Sequence, residues 1–256
     1  MIKNQFFYLS IGCLFLLISC SHSDTDCKSC KIENPNLLDS LKKIKSSDQE
    51  DSLESIKLQE SNLIDVQTLS NQIFVDLKYA GTDNFMHSKL YEKLSKAFLQ
   101  KDVAERLAKC QSFLMKEKPN YHLLVYDAVR PVSVQQKMWD ALDTIPVAQR
   151  TKFVSNPANG SIHNYGAAVD LTICDEKGVA LDMGAGYDDI REVAYPRLES
   201  RFLASGELTE EQLNNRKLLR KVMASQGFTN IATEWWHFNA CTRAIAKEKY
   251  IVLEKE

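Results

Sequence analysis

The alternation of apolar and polar positions predicts four strands. Every second side chain is apolar between Asn71 and Ala80, which is typical of a half-buried strand. A largely buried strand follows at 121–129, and Arg130-Pro131 ends it because proline cannot donate to a continuing ladder. A third strand runs from Ala167 to Ile173, with apolar side chains at its odd positions. The aromatic sequence TEWWHFN predicts a fourth strand late in the chain.

Three predicted helices each begin at a pair of residues that resembles a capping box. These pairs and the helix ends are Asp102/Glu105 with Lys118, Ser133/Gln136 with Leu142, and Thr209/Gln212 with about Ser225. The helices and strands are intermixed with long loops, and two strands favour antiparallel pairing. We therefore expect the α+β class: a single domain with a small antiparallel sheet flanked by helices.

The first twenty residues resemble an export signal. A lysine near the start is followed by an apolar run and then by Leu17-Ile18-Ser19-Cys20, which is similar to the lipobox of bacterial lipoproteins. This pattern predicts a lipoprotein signal peptide at 1–19 and a lipid on Cys20; an uncleaved N-terminal anchor is the alternative. In both cases we expect the rest of the chain to be exported and held at the cell envelope.

Residues 20–62 predict a flexible tether. No Phe, Tyr or Trp occurs between Ser21 and Gln72, so this stretch cannot bury enough apolar surface to offset the entropy of ordering it. Cys27 and Cys30 lie in the tether at the spacing of a redox pair, but without a strand-helix context, which favours a local disulfide or two unpaired thiols. The remaining residues, 63–256, suit one compact domain.

The charge pattern argues against a nucleic-acid partner. The chain has 32 basic and 34 acidic side chains, well mixed, with a net charge of −2, whereas nucleic-acid binding needs a basic stripe. We therefore expect a small or neutral partner.

The stretch GSIHNYGAAVDLTI contains the first candidate site. Asp170 shares the even face of its strand with small neighbours, and the glycines on either side of His163 allow its loop to curl back over that face. His163 and Asp170 could therefore bind one metal ion, although a hydrogen-bonded structural pair would have the same pattern.

A second cluster, Glu234-Trp235-Trp236-His237, supplies another carboxylate and another imidazole. In an ideal strand these two would point to opposite faces, so both reach one site only if the chain turns between them. The alternative is an aromatic core strand with Glu234 and His237 at its rim. Counting ligands favours the metal hypothesis, because His163, Asp170 and His237 supply the three protein ligands of a catalytic zinc and leave Glu234 to accept a proton.

Five motifs, in the same order over roughly residues 66 to 245, resemble those of VanX-type D-alanyl-D-alanine dipeptidases. These enzymes are zinc D,D-peptidases that share a fold with hedgehog signalling domains. The motifs are K-Y-A-x-x-D-N-F at Lys78 to Phe85, D-x-x-R-P at Asp127 to Pro131, S-x-H-x-x-G-x-A-x-D at Ser161 to Asp170, M-G-x-x-(F/Y)-D at Met183 to Asp188, and E-x-W-H at Glu234 to His237.

The resemblance implies one zinc ion per chain, with Glu234 as the general base. It also implies that Arg130 stabilises the developing oxyanion, a role that is compatible with a buried Arg130–Asp127 salt bridge.

Further roles follow for the substrate pocket. The resemblance implies that Tyr79 and Asp188 receive the substrate's free ammonium and that Ser161 contacts its carboxylate end. Met86-His87 departs from the small pair expected after Phe85, so the resemblance does not define the rim of the pocket at these two positions.

The sequence therefore predicts an exported, lipid-anchored zinc dipeptidase that hydrolyses D-alanyl-D-alanine to two D-alanines. One rival is a zinc D,D-carboxypeptidase or endopeptidase acting on peptidoglycan stem peptides. Asp188 argues against it, because longer stem peptides carry an amide where the dipeptide carries an ammonium. Another rival is an inactive zinc-containing envelope-binding module, which would be expected to have lost Glu234 or Arg130. The sequence indicates no protein partner.

Overall fold

The computed structural model describes residues 62–151 and 153–256. Residues 1–61, which include the predicted signal peptide, the predicted lipidation site Cys20 and the predicted tether up to residue 61 with Cys27 and Cys30, lie outside the described residues. The described fold therefore begins at Asn62, directly before the first strand.

The strands are short, and most helices lie between them or after them in the chain. The strands are β1 (Leu63–Asp65), β2 (Phe74–Val75), β3 (Phe98–Gln100), β4 (His122–Asp127), β5 (Ala168–Cys174), β6 (Thr229–Asn230) and β7 (His237–Asn239). The α-helices are α1 (Val66–Leu69), α2 (Lys101–Glu117), α3 (Val132–Ala141), α4 (Val147–Arg150), α5 (Glu199–Ser205), α6 (Glu210–Ala224) and α7 (Arg243–Lys249). Short 3₁₀ turns at Lys78–Ala80, Pro157–Asn159, Ile162–Tyr165, Glu192–Ala194 and Pro196–Leu198 connect them.

Five of the strands form one sheet in the order β2-β4-β5-β7-β6. Its neighbours are antiparallel except β2 and β4, which run parallel. The chain between β2 and β4 contains β3 and α2, and this long crossover is what a parallel pair requires. The α+β class is confirmed, whereas the expectation of an antiparallel sheet is wrong at this edge.

Strands β4 and β5 form the centre of the core and are buried along their whole length. The odd positions of β5 join one apolar cluster with residues from α2 and α6. The predicted apolar face of α2 (Val103, Leu107, Cys110 and Leu114) is fully buried in this cluster. Because apolar side chains fill one side of β5, its even-numbered side chains are left to form the polar site.

Several predicted boundaries are wrong because tertiary contacts replace the expected local ones. The strand predicted from Asn71 to Ala80 is only Phe74–Val75, and a 3₁₀ turn follows at Lys78–Ala80. Helices α2 and α3 begin without a side-chain cap, so two predicted capping boxes are absent. The box at Thr209 and Gln212 is present and opens α6.

No helix among residues 62–151 and 153–256 combines the length and the apolar character needed to span a bilayer.

Candidate active site

The register of three neighbouring strands brings together the carboxylates and one imidazole. Asp127 of β4 lies opposite Asp170 of β5, and Asp170 lies opposite His237 of β7. A shift of register between Val125 and Asp127 marks a bulge, a feature that re-aims side chains next to functional sites. Side chains directly opposite each other in such a ladder are close enough to interact. The three polar side chains therefore form one row across the sheet.

His163 reaches this row from a short turn rather than from a strand. The turn Ile162–Tyr165 begins at a capping box between Ser161 and Asn164, and Gly166 closes it with φ of +62°. The Asn164 amide donates to the Arg130 carbonyl at 2.7 Å, which joins the turn to the end of β4. The loop that was predicted to curl over the even face of β5 is thus a defined turn with its own cap.

The three predicted metal ligands face one another. His237 Nδ1 lies 2.9 Å from Asp170 Oδ1 and 3.1 Å from His163 Nε2. His163 Nε2 lies 3.3 Å from the same carboxylate oxygen. Ligands about 2.0–2.1 Å from a tetrahedral zinc lie about 3.3 Å from one another. The spacing of the three atoms therefore suits one metal ion, and this trio is a candidate metal centre among the described residues.

The hydrogen bonds of the two imidazoles agree with that assignment. His163 Nδ1 donates to the Ala128 carbonyl at 2.6 Å, which leaves the lone pair of Nε2 directed into the site. His237 Nε2 donates to Asn239 Oδ1 at 2.9 Å, which directs Nδ1 into the site. The two inward nitrogens face the Asp170 carboxylate, an arrangement that favours a cation between them, either a proton on His237 or a metal ion, so the donor set fits a metal.

The Asp170 oxygen that does not face the two histidines, Oδ2, is held by neighbouring donors. Tyr187 donates to Asp170 Oδ2 at 3.1 Å, and the Arg130 guanidinium approaches the same oxygen at 3.5 Å. Burial alone would raise the pKa of Asp170, but the charge and hydrogen bonds of His163, together with His237, hold it well below its usual range. Burial would lower the pKa of His237, yet the hydrogen bond to Asp170 and the carboxylate charge raise it to about 9. Both directions reflect a site that favours positive charge.

Arg130 forms the salt bridge that was the alternative to its catalytic role. Its Nε and Nη2 donate to Asp127 Oδ2 at 2.9 and 2.6 Å, and its Nη1 donates to Gln135 Oε1 at 3.3 Å. The guanidinium also lies over the ring of Tyr79, 5.0 Å from its centroid. Asp127 therefore fixes the orientation of a guanidinium that still borders the cavity.

Glu234 and His237 do reach one site, and the chain turns between them as the sequence required. Strand β7 begins only at His237, and the Asn230 amide donates to the carbonyls of Glu234 and His237, each at 2.8 Å. Glu234 Oε2 then lies 3.9 Å from His237 Nδ1. Burial and the neighbouring Asp170 charge raise the pKa of Glu234, while His237 opposes the shift.

Asp188 and Tyr79 form a second polar pair in the cavity. Tyr79 donates to both oxygens of Asp188, at 3.0 and 3.2 Å, and Asp188 has a positive φ of 59°. Burial, with the Asp170 charge next in size, raises the pKa of Asp188 to about 8. Among the described residues Asp188 forms no salt bridge, and the Arg130 charge only partly offsets its burial, so this buried carboxyl would gain from a cationic partner.

All eight predicted site residues line one cavity of about 200 Å³. They are Tyr79, Arg130, Ser161, His163, Asp170, Asp188, Glu234 and His237. This volume is below the range of about 300–1,000 Å³ that is usual for sites of drug-sized ligands, so a small ligand is favoured. The other two described histidines lie outside this cavity: His122 bonds the Gln72 carbonyl, and the backbone amide of His87 donates to the Asn84 carbonyl.

Sequence reasoning missed several supporting residues. Tyr187 directly precedes Asp188 in one of the five motifs, so that motif was the signal that could have identified it. Asn239 follows the strand alternation two residues after His237 and could have been found from the register. No sequence pattern identifies Asn230 or Gln135. Asn230 bonds backbone carbonyls, and Gln135 bonds Arg130. Arg243 also borders the cavity and was not considered.

The family model and the most similar curated sequences indicate one family. The sequence model of a family described as D-ala-D-ala dipeptidase matches residues 59–255. A D-alanyl-D-alanine dipeptidase of Escherichia coli is 33% identical over 178 residues, which cover 70% of this chain and 84% of the relative. A D-alanyl-D-alanine dipeptidase of Synechocystis is 29% identical over 176 residues, covering 58% of this chain and 71% of the relative. A solved structure of the vancomycin-resistance D,D-pentapeptidase VanY with Zn(II) is 15% identical, with a TM-score of 0.37, and covers 61% of this chain and 81% of VanY.

Proposed function

Because this chain belongs to the D-ala-D-ala dipeptidase family of metallopeptidases, we propose that it hydrolyses D-alanyl-D-alanine to two molecules of D-alanine in a zinc-dependent reaction. One observation carries the proposal: the triangle of His163, Asp170 and His237 borders the same small cavity as Glu234, Arg130 and Asp188. The cavity thus combines a metal site, a base and groups suited to a charged dipeptide.

His163, Asp170 and His237 would hold the zinc ion. When bound, zinc supplies a Lewis acid for the scissile carbonyl and lowers the pKa of its water to about 7. The bond from His163 to the Ala128 carbonyl and the bond from His237 to Asn239 aim the other nitrogen of each ring at the metal site, where a bound metal would take the place of the proton on His237. Tyr187 and Arg130 restrain the oxygen of Asp170 that does not face the metal.

Glu234 is the group that moves the proton. Its carboxylate accepts a proton from the attacking water and returns it to the departing amine nitrogen, which is the role of a general base followed by a general acid. Its raised pKa, caused mainly by burial, makes Glu234 a stronger base than an ordinary glutamate and so favours acceptance of the proton from water. Arg130, oriented by Asp127, donates to the oxyanion that develops on the carbonyl oxygen.

The remaining cavity residues select a dipeptide. Asp188, supported by Tyr79, would accept the ammonium of the first D-alanine, and Ser161 would contact the carboxylate end of the second. A stem peptide has an uncharged amide in place of that ammonium and would leave Asp188 without its partner. The buried carboxylate therefore favours free dipeptides over peptidoglycan stems.

Product analysis with two substrates tests the proposal. The purified, zinc-loaded protein is incubated with D-alanyl-D-alanine or with a stem pentapeptide, and the products are separated by chromatography. We expect rapid release of D-alanine from the dipeptide and little from the pentapeptide. A Glu234→Gln variant is the matched control: its zinc content should equal that of the wild type by elemental analysis, while its turnover falls by about 10²–10⁴-fold.

Two outcomes would contradict the proposal. Release of D-alanine from the pentapeptide alone would identify a carboxypeptidase. Bound zinc without turnover of either substrate would identify an inactive binding module. Near-normal turnover by Glu234→Gln would instead refute only the assignment of the base.

We also propose that the enzyme is lipid-anchored through Cys20 and acts at the cell envelope. The support is the sequence alone: the apolar run before Ser19-Cys20 and the polar stretch that follows it. Free D-alanyl-D-alanine outside the cytoplasm would then be the accessible substrate.

A further inference from the structure

Some of the charged side chains that line the cavity are held in salt bridges with neighbouring residues, and others are not. Among the described lining residues Arg130 and Arg243 are the arginines, and Arg130 is committed to Asp127. Asp189 is likewise committed, because its carboxylate forms a salt bridge with Arg191. Arg243 has no hydrogen bond or ion pair with any residue that the structure describes, so its five donors are available.

Arg243 belongs to the wall that also carries Ser161. It is the first residue of α7, where the Thr242 hydroxyl accepts from the Ile245 amide and fixes the start of the helix. Helix α7 packs against the turn Ile162–Tyr165, whose capping residue is Ser161. The side chain of Arg243 is exposed yet borders the cavity, so it lies at the mouth rather than at the metal.

A zwitterionic dipeptide needs opposite charges at its two ends. Asp188 supplies a buried anion for the ammonium, but the serine hydroxyl proposed for the carboxylate carries no charge. Ser161 can donate only one hydrogen bond to a carboxylate, through its O–H, while its oxygen accepts from the His163 amide at 3.3 Å. Hydrogen bonds to charged groups are stronger than those between neutral groups, so a cation beside Ser161 would improve recognition of the carboxylate.

We propose that Arg243 binds the C-terminal carboxylate of the dipeptide and makes this enzyme specific for a free C-terminus. The inference rests on the proposed dipeptidase function and adds to it a residue that determines specificity. With Asp188 and Arg243 both engaged, only a peptide with two free charged ends satisfies the cavity. A substrate extended or capped at its C-terminus would lose the contact with Arg243.

The test compares two substrates and three proteins. Steady-state kinetics are measured for D-alanyl-D-alanine and for its C-terminal amide. Each substrate is assayed with the wild type, with Arg243→Gln and with Lys247→Gln. Lys247 is an exposed cation on the same helix that does not line the cavity, so it controls for a change in surface charge.

For the dipeptide we expect Arg243→Gln to raise KM about tenfold with kcat within about twofold of wild type, since one charge-assisted contact is lost. For the amide, the wild type and Arg243→Gln should have the same KM. Raising the salt concentration should increase the dipeptide KM of the wild type and of Lys247→Gln but not of Arg243→Gln, because exposed charges are screened.

The inference fails if Arg243→Gln leaves the dipeptide KM unchanged, or if it changes the KM of the dipeptide and the amide equally. In either case hydrolysis of the dipeptide by the wild type would leave the proposed function intact. Absence of dipeptide hydrolysis by the wild type would refute the proposed function and this inference together.

Discussion

Asp188 is the side chain whose chemistry depends most on its surroundings. Burial and the Asp170 charge raise its pKa to about 8, while the hydrogen bond from Tyr79 acts in the opposite direction. Below that pH the carboxyl is largely protonated and cannot attract an ammonium. A substrate amine must therefore displace a proton from Asp188 before it binds well.

This gives a prediction for the pH dependence of KM. As the pH rises from 6 to 8, Asp188 ionises, and the KM for D-alanyl-D-alanine should fall by up to about tenfold per pH unit. Above about pH 8 the substrate's own α-amino group loses its proton and KM should rise again. Steady-state kinetics between pH 6 and 9.5 measure the minimum.

A Tyr79→Phe variant provides the directional control. Because the Tyr79 hydrogen bond lowers the pKa of Asp188, its removal should move the minimum of KM to higher pH. A KM that is constant between pH 6 and 8 in the wild type would show that Asp188 does not accept the ammonium.

At the scale of single residues the sequence was a good guide to the site, because every predicted ligand and contact lies in a motif. It was a poor guide to the residues that position them. Tyr187 and Asn239 act on Asp170 and His237 through hydrogen bonds that exist only once the strands have paired. No local pattern of apolar and polar positions contains that information.

Among the elements, β5 was predicted well and the helix starts were not. The alternation along β5 is strict, and β5 is the longest of the described strands. At the start of α2, Asp102 was expected to cap the helix, but its carboxylate is bound by Lys249 and the Tyr250 hydroxyl. A partner 147 residues away in sequence outcompetes the local cap, and sequence spacing cannot reveal it.

The turn that carries His163 depends on one glycine. Gly166 has φ of +62°, and a Cβ built there would lie 2.5 Å from Leu63 Cδ2 and 3.2 Å from the Gln100 amide nitrogen. Gly206 has a similar φ of +79° with nothing within 4 Å of the same position. An alanine at Gly206 would therefore introduce backbone strain alone, whereas an alanine at Gly166 would introduce both backbone strain and a steric conflict.

We predict that Gly206→Ala lowers the free energy of unfolding by about 1 kcal/mol, the cost of a left-handed alanine. Gly166→Ala should lower it by at least about 2 kcal/mol, because Leu63 and β3 must also shift, and should weaken zinc binding by displacing His163. Urea denaturation and competition with a zinc chelator measure the two effects. Equal destabilisation by both substitutions would mean that the contact with Leu63 is unimportant.

At the scale of the whole molecule, the sequence predicted the fold class of the described domain but not the direction of every strand. The fold class followed from the mixture of strands and helices, but the parallel edge strand β2 did not, since strand direction depends on how the intervening chain crosses over. Of the described cysteines, Cys110 and Cys174 are buried thiols, whereas Cys241 is only partly buried.

The proposed anchor is testable in cells. We predict that the wild-type protein separates into the detergent phase with membrane lipoproteins, and that Cys20→Ser moves it to the aqueous phase with unchanged activity per molecule. Removal of the thiol eliminates the site of lipid attachment and leaves the catalytic residues intact. If Cys20→Ser remains with the membrane, the N-terminal segment acts as an uncleaved anchor instead.

The row formed by Asp127, Asp170 and His237 also sets the time at which activity can appear. His237, the third proposed metal ligand, meets Asp170 only when β7 adds to β5, a pairing between residues 67 apart in sequence. Such distant pairings form late because the intervening chain must first be ordered. A nascent polypeptide accordingly has no assembled metal site, and we expect the peptidase to be inactive until β7 has paired with β5.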